Sequence, residues 1–135
     1  MKRTIGGILT IIILVSVMRF YFSYYMPTRV IFDGSEYFSQ EDVEAAADVV
    51  KEFFDENWDK CNLTKLRYKG DDVMENNASL LRIHGADEIM IFESSIYISP
   101  FYDKGIFVRN STIKWSWTLV RKDGGQWEII SFGGG

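Results

Sequence analysis

Seven apolar side chains, Val43, Ala46, Ala47, Val50, Phe53, Phe54 and Trp58, recur at spacings of three and four. At 3.6 residues per turn they form one stripe, so the spacing predicts an amphipathic helix over 40–58. Ser39 can accept hydrogen bonds from the N–H groups of the first turn, and Glu41 and Asp42 complement the positive end of the helix dipole. Ser39-x-x-Asp42 is an imperfect capping box. A helix with a single apolar face must bury that face against a second element. The chain after it reads as strands.

In residues 63–69, Leu66 and Tyr68 fall on one face while Lys65, Arg67 and Lys69 fall on the other, and Gly70-Asp71-Asp72 ends the run. That is the pattern of a half-buried strand and a turn. Residues 73–85 show no clear period and are read as a short helix running into a strand. Residues 89–99 are rich in β-branched and aromatic side chains up to Pro100, and Tyr102-Asp-Lys-Gly105 supplies a loop. From Thr112 the alternation is clean: Ile113, Trp115, Trp117 and Leu119 share one face, and Lys114, Ser116 and Thr118 the other. Asp123-Gly124-Gly125 then turns the chain into a last strand, where Trp127 and Ile129 continue the buried face. No βαβ alternation occurs. The expected fold is therefore α+β, with the long helix packed on a curved antiparallel sheet within a domain over 38–135. Residues 27–37 read as a linker with a short extended piece at Val30-Ile31-Phe32, and the terminal Gly133-Gly-Gly135 as a frayed end.

Ahead of this domain, Lys2 and Arg3 precede an uncharged apolar run of 14 residues, 5–18, which meets Arg19 and the aromatics Phe20, Tyr21, Phe22, Tyr24 and Tyr25. As a helix at about 1.5 Å per residue the run covers only ~21 Å of a ~30 Å hydrocarbon core, the length of a signal-peptide apolar region. Cleavage needs small residues, and between Met18 and Pro27 only Ser23 is small. The sequence thus predicts an uncleaved signal-anchor over 1–26, with Arg19 snorkelling and the aromatics forming a belt, so that the transmembrane helix reaches about residue 25. It follows that the expected protein is single-pass in the cell membrane through residues 5–25, its N-terminus cytoplasmic and its domain extracytoplasmic.

Fifteen Lys and Arg, less Lys2, Arg3 and Arg19, leave twelve against nineteen Asp and Glu, a net −7 beyond the N-terminal segment. Such a domain repels phosphate backbones, which disfavours nucleic acid as a partner. Cys61 is the only cysteine, excluding an intramolecular disulfide and a multi-cysteine zinc site, and it reads as core. The acids on the outer helix face, among them Glu44, Asp48, Glu52, Asp55 and Glu56, point apart and read as a solvated surface.

The order Phe38-Ser-Gln-Glu-Asp-Val, Ala45-x-x-x-Val49-Val50, Cys61-x-Leu63-Thr64-x-Leu66-x-Tyr68, Asn110-Ser-Thr, Trp115-x-Trp117-x-Leu-Val-Arg121 and Trp127 resembles an uncharacterised family of extracytoplasmic proteins of Gram-positive bacteria. More loosely it resembles the cone-shaped fold of nuclear transport factor two and ketosteroid isomerase. The resemblance covers residues 38–135 and implies a cone-like sheet over the long helix. It carries over no catalytic residue. Its relatives end in Trp-Gly-Tyr, where this chain has Phe132-Gly-Gly-Gly.

Chemistry candidates are isolated ones. His84, the only histidine, has Asp87 and Glu88 close by in sequence, as a general base would need, and otherwise reads as a loop histidine beside Gly85. Glu93 lies in the apolar stretch 89–96, where an inward carboxylate could serve as acid or base, although period two equally allows an outward position. Tyr97, Trp115, Trp117 and Trp127 can line a pocket or simply form the core. Glu93, His84, Tyr97, Trp115 and Trp117 are therefore pocket candidates, with no catalytic set, metal site or cofactor motif assigned. The function expected is a ligand-binding or protein-interaction module for an unknown small molecule or envelope protein. The alternative is a small cone-fold enzyme of isomerase or dehydratase type acting on an apolar molecule.

Overall fold

The structure, a computed structural model, describes residues 2–134, with side chains placed for 7–18 and 26–134. Its elements in chain order are α1 (Lys2–Tyr25), β1 (Arg29–Ile31), α2 (Gln40–Asn57), β2 (Cys61–Tyr68), α3 (Asp72–Asn76), α4 (Ala78–His84), β3 (Glu88–Ile98), β4 (Ser111–Arg121) and β5 (Glu128–Gly133). The five strands form one sheet in the order β1-β2-β3-β4-β5.

Helix α2 begins where its cap places it. Ser39 Oγ accepts from Asp42 N–H (3.1 Å) and Asp42 Oδ2 accepts from Ser39 N–H (2.9 Å), closing the box on both sides. Such a cap contributes about 1 kcal/mol. The helix buries Val43, Ala46, Ala47, Val50 and Phe54. Against them lie Leu63, Leu66 and Tyr68 of β2, Met90, Phe92, Ile96 and Ile98 of β3, and Trp117 and Leu119 of β4. Leu63 and Leu66 are three residues apart, a spacing that strict alternation would send to opposite faces. A register shift between Leu63 and Lys65 makes Thr64 a bulge and returns both leucines to the core.

Arg121 fastens the N-terminal turn of α2 to the far end of the sheet. Its Nε and Nη2 donate to the two Glu88 oxygens (2.9 and 3.0 Å), its Nη1 donates to Asp42 Oδ1 (3.0 Å), and the guanidinium stands 4.6 Å from the Trp127 ring centre. A planar donor fork and a stacking face are what arginine offers and lysine lacks. The other face of the sheet is only partly covered: α3 and α4 close one corner of it, where Val73, Ile89 and Val120 are buried.

Three expectations are corrected. The sheet is mixed, because β1 pairs parallel to β2 (Val30 beside Leu66) while the other pairings are antiparallel. Residues 73–85 contain two short helices, the second ended by Gly85 in the left-handed conformation (φ 61°). The third concerns the membrane-spanning helix expected over residues 5–25. Among the described residues no helix is long and apolar enough to cross a membrane. The transmembrane helix, the signal-anchor and the single-pass cell-membrane location are therefore not sustained. Lys2, Arg3, Arg19 and the aromatic belt over 20–25 lie outside the residues whose side chains are described. Gly133, read as part of a frayed end, instead closes β5 opposite Ser116.

Candidate functional site

Strand pleating gives every strand of this sheet two sets of side chains. At the centre of the sheet, the set facing α2 is apolar apart from Ser94. On the uncovered face the register aligns Lys65 with Ser95 and Ser95 with Lys114, and one step along, Arg67 with Glu93 and Glu93 with Ser116. Lys69, the residue just after β2 and next in this phase, extends the row, its N–H donating to the Ile91 carbonyl (3.0 Å). Alternate residues of a strand stand about 6.6–6.8 Å apart and neighbouring strands about 4.8 Å apart. Lys65, Arg67 and Lys69 therefore form a line of roughly 13 Å, and Lys114 faces it from two strands away.

These side chains border an open trough of about 530 Å³. Lys114 Nζ donates to Ser95 Oγ (2.9 Å), and Arg67 pairs with Glu93. Both partners of that pair are substantially exposed, so it adds little stability and orients the two side chains over the trough. Four cations meet a single carboxylate here, in a domain that is otherwise acidic. The acids of α2 decorate its solvent side, across the sheet from the trough.

Of the five sequence candidates the structure brings two, Glu93 and Trp115, to the border of the trough. Glu93 is in the trough. Tyr97 shares its face but lies further along β3, where its hydroxyl donates to Asn110 Oδ1 (2.7 Å), with Asn110 in the left-handed conformation (φ 55°). Trp117 is fully buried on the opposite face, its Nε1 donating to Ser94 Oγ (2.9 Å), which in turn donates to the Trp115 carbonyl (2.8 Å). Trp115 packs beside the core against Trp58 and Phe107, ring centres 5.3 and 5.8 Å away. The indole N–H groups of Trp115 and Trp127 are buried with no hydrogen-bond partner among the described residues. His84 is exposed in the last turn of α4 and does not line the trough. No protein-family model, curated protein or solved structure matches this chain.

Nucleophilic chemistry has little support in this arrangement. Cys61 is half-buried beside the core, and burial pushes its thiol up to about 11, away from the thiolate. Among the described residues no cluster of three His, Cys, Asp or Glu could hold a metal ion. Sequence reasoning missed Lys65, Arg67, Lys69 and Lys114 as a group, although it placed the first three on one strand face. Residue 114 is distant in sequence, and only the strand register joins it to them.

Proposed function

We propose that this domain is a ligand-binding module and that its site is the uncovered trough of the sheet, which takes a small anionic ligand such as a carboxylate or phosphate. The observation that carries this reading is the concentration of Lys65, Arg67, Lys69 and Lys114 around one carboxylate, in a domain of net −7. Like charges held on one rigid face repel one another, and a bound anion relieves that repulsion. Hydroxyl groups of Ser95 and Ser116 add neutral donors at the floor. Binding without turnover fits the groups present, because Glu93 is committed to Arg67 and His84 stands elsewhere.

Titration of the chain with pyrophosphate at low ionic strength tests it. Lys69→Glu with Lys114→Glu should weaken binding by about tenfold or more, and salt should weaken the wild type as screening shortens the reach of each charge. An affinity indifferent to both the charge reversals and the salt would overturn the assignment.

A further inference from the structure

The trough is not the only cavity on this face. A second one, about 630 Å³, adjoins it, and Lys65 and Ser95 line both. Past those two residues the lining changes character. The rest of its lining is Met26, Pro27, Thr28, Arg29, Thr64 and Thr112. Met26 is 54 % exposed.

Two of the three threonines, Thr28 and Thr64, present less polarity than their names suggest. Thr28 Oγ1 donates to the Leu63 carbonyl (2.7 Å) and Thr64 Oγ1 to the Ser95 carbonyl (3.0 Å). A hydroxyl held by a carbonyl leaves the methyl group as what the side chain offers a ligand. The bulge at Thr64 is what turns this residue out of the strict alternation of β2. Arg29, in register with Lys65, is the one charge beyond the shared boundary, and its aliphatic stem can lie along the same surface.

A cationic cavity that opens into a cavity of methyl and methylene groups is matched by one kind of molecule. We propose that the ligand of the open face is a free anionic amphiphile, its acid group among Lys65, Arg67 and Lys114 and its hydrocarbon chain along Met26, Pro27 and the methyls of Thr28, Thr64 and Thr112. This inference rests on the anion-binding reading of the trough and adds the second half of the ligand. Charge fixes the head, and removal of apolar surface from water holds the tail.

Octyl phosphate, inorganic phosphate and octyl glucoside, each below any micelle-forming concentration, separate the two halves in titrations of the full chain. Octyl phosphate should bind at least about tenfold more tightly than either of the others, since even a partly covered alkyl chain adds that much. Lys65→Glu should reduce its affinity to that of octyl glucoside, and Thr112→Asp to that of inorganic phosphate, with circular dichroism confirming the fold. If inorganic phosphate binds and octyl phosphate binds no better, the amphiphile inference fails and the anion site stands. If neither phosphate binds, both readings fail. Octyl phosphate binding that survives both substitutions is adsorption elsewhere on the chain and overturns the proposal.

Discussion

The two faces of one sheet are built from alternate residues of the same strands and are opposite in character. On the covered face Met90, Phe92, Ile96 and Ile98 of β3 are fully buried under α2, and the one polar side chain among them, Ser94, is satisfied by Trp117 and Trp115. On the other face Glu93 and Ser95 stand between Arg67, Lys65 and Lys114. A period of two lets one strand carry stability and recognition at once, provided that the register is kept. The covered face should respond to substitution as folding energy, and the open face as binding energy.

The largest expected effect falls on the covered face. Trp117→Ala removes a fully buried indole and should cost roughly 3–5 kcal/mol of unfolding free energy in a denaturant titration. A cost below about 1 kcal/mol, the size of an ordinary substitution, would break the contrast between the faces. Next comes Ser94→Ala, which leaves the Trp117 indole N–H buried without its acceptor, at a cost of about 1–3 kcal/mol.

A pH dependence sharpens the comparison at the end of β2. The Asp71 carboxylate accepts from Ser35 Oγ, Tyr68 OH and Glu36 N–H, which hold its pKa below the ordinary carboxylate value. Asp42 is lowered first by the Ser39 N–H, with Arg121 adding to the effect. Both folded values are depressed, so their stabilisation is present above the unfolded carboxylate pKa, near 4, and is lost as pH falls through the folded values. Asp71→Asn should flatten the acid limb of stability against pH, and an unchanged limb would count against the network. Tyr68 shifts the other way: burial, then the bond to Asp71, pushes its hydroxyl up to about 12. Its contribution is present below the unfolded value near 10 and is lost as pH rises toward 12. Tyr68→Phe should therefore reduce the alkaline loss.

The smallest stability effect belongs to the open face. Lys114→Ala, an exposed change, should move the unfolding free energy by no more than about 0.5 kcal/mol while weakening anion binding. Loss of several kcal/mol there would make the cations structural.

Much of the covered face was legible because its signals are local. The stripe from Val43 to Trp58, its Ser39 cap and the Asp123-Gly124-Gly125 turn each lie within a few residues of what they specify. Strand β1 was not legible as a parallel partner, because three residues carry no period and the pairing to Lys65 is set by tertiary packing. Helices α3 and α4 are five and seven residues long, too short to write a stripe. On the open face the alternation of Lys65, Arg67 and Lys69 was visible, and so was the polar phase containing Lys114. Their meeting depends on the register through Ser95, which no local pattern encodes. Tyr97 and Trp115 were grouped by chemistry alone, and pleating puts them on opposite faces.

The most direct test is a map of amide chemical-shift changes as pyrophosphate is added to the folded chain at low salt. If the open face is the binding site, the changes cluster at Lys65 and Arg67 of β2, the adjoining Lys69, Glu93 and Ser95 of β3, and Lys114 and Ser116 of β4, leaving the outer face of α2 unmoved. Saturable changes centred on α2, or none at pyrophosphate concentrations well above those of the charge-reversal titration, would contradict the account.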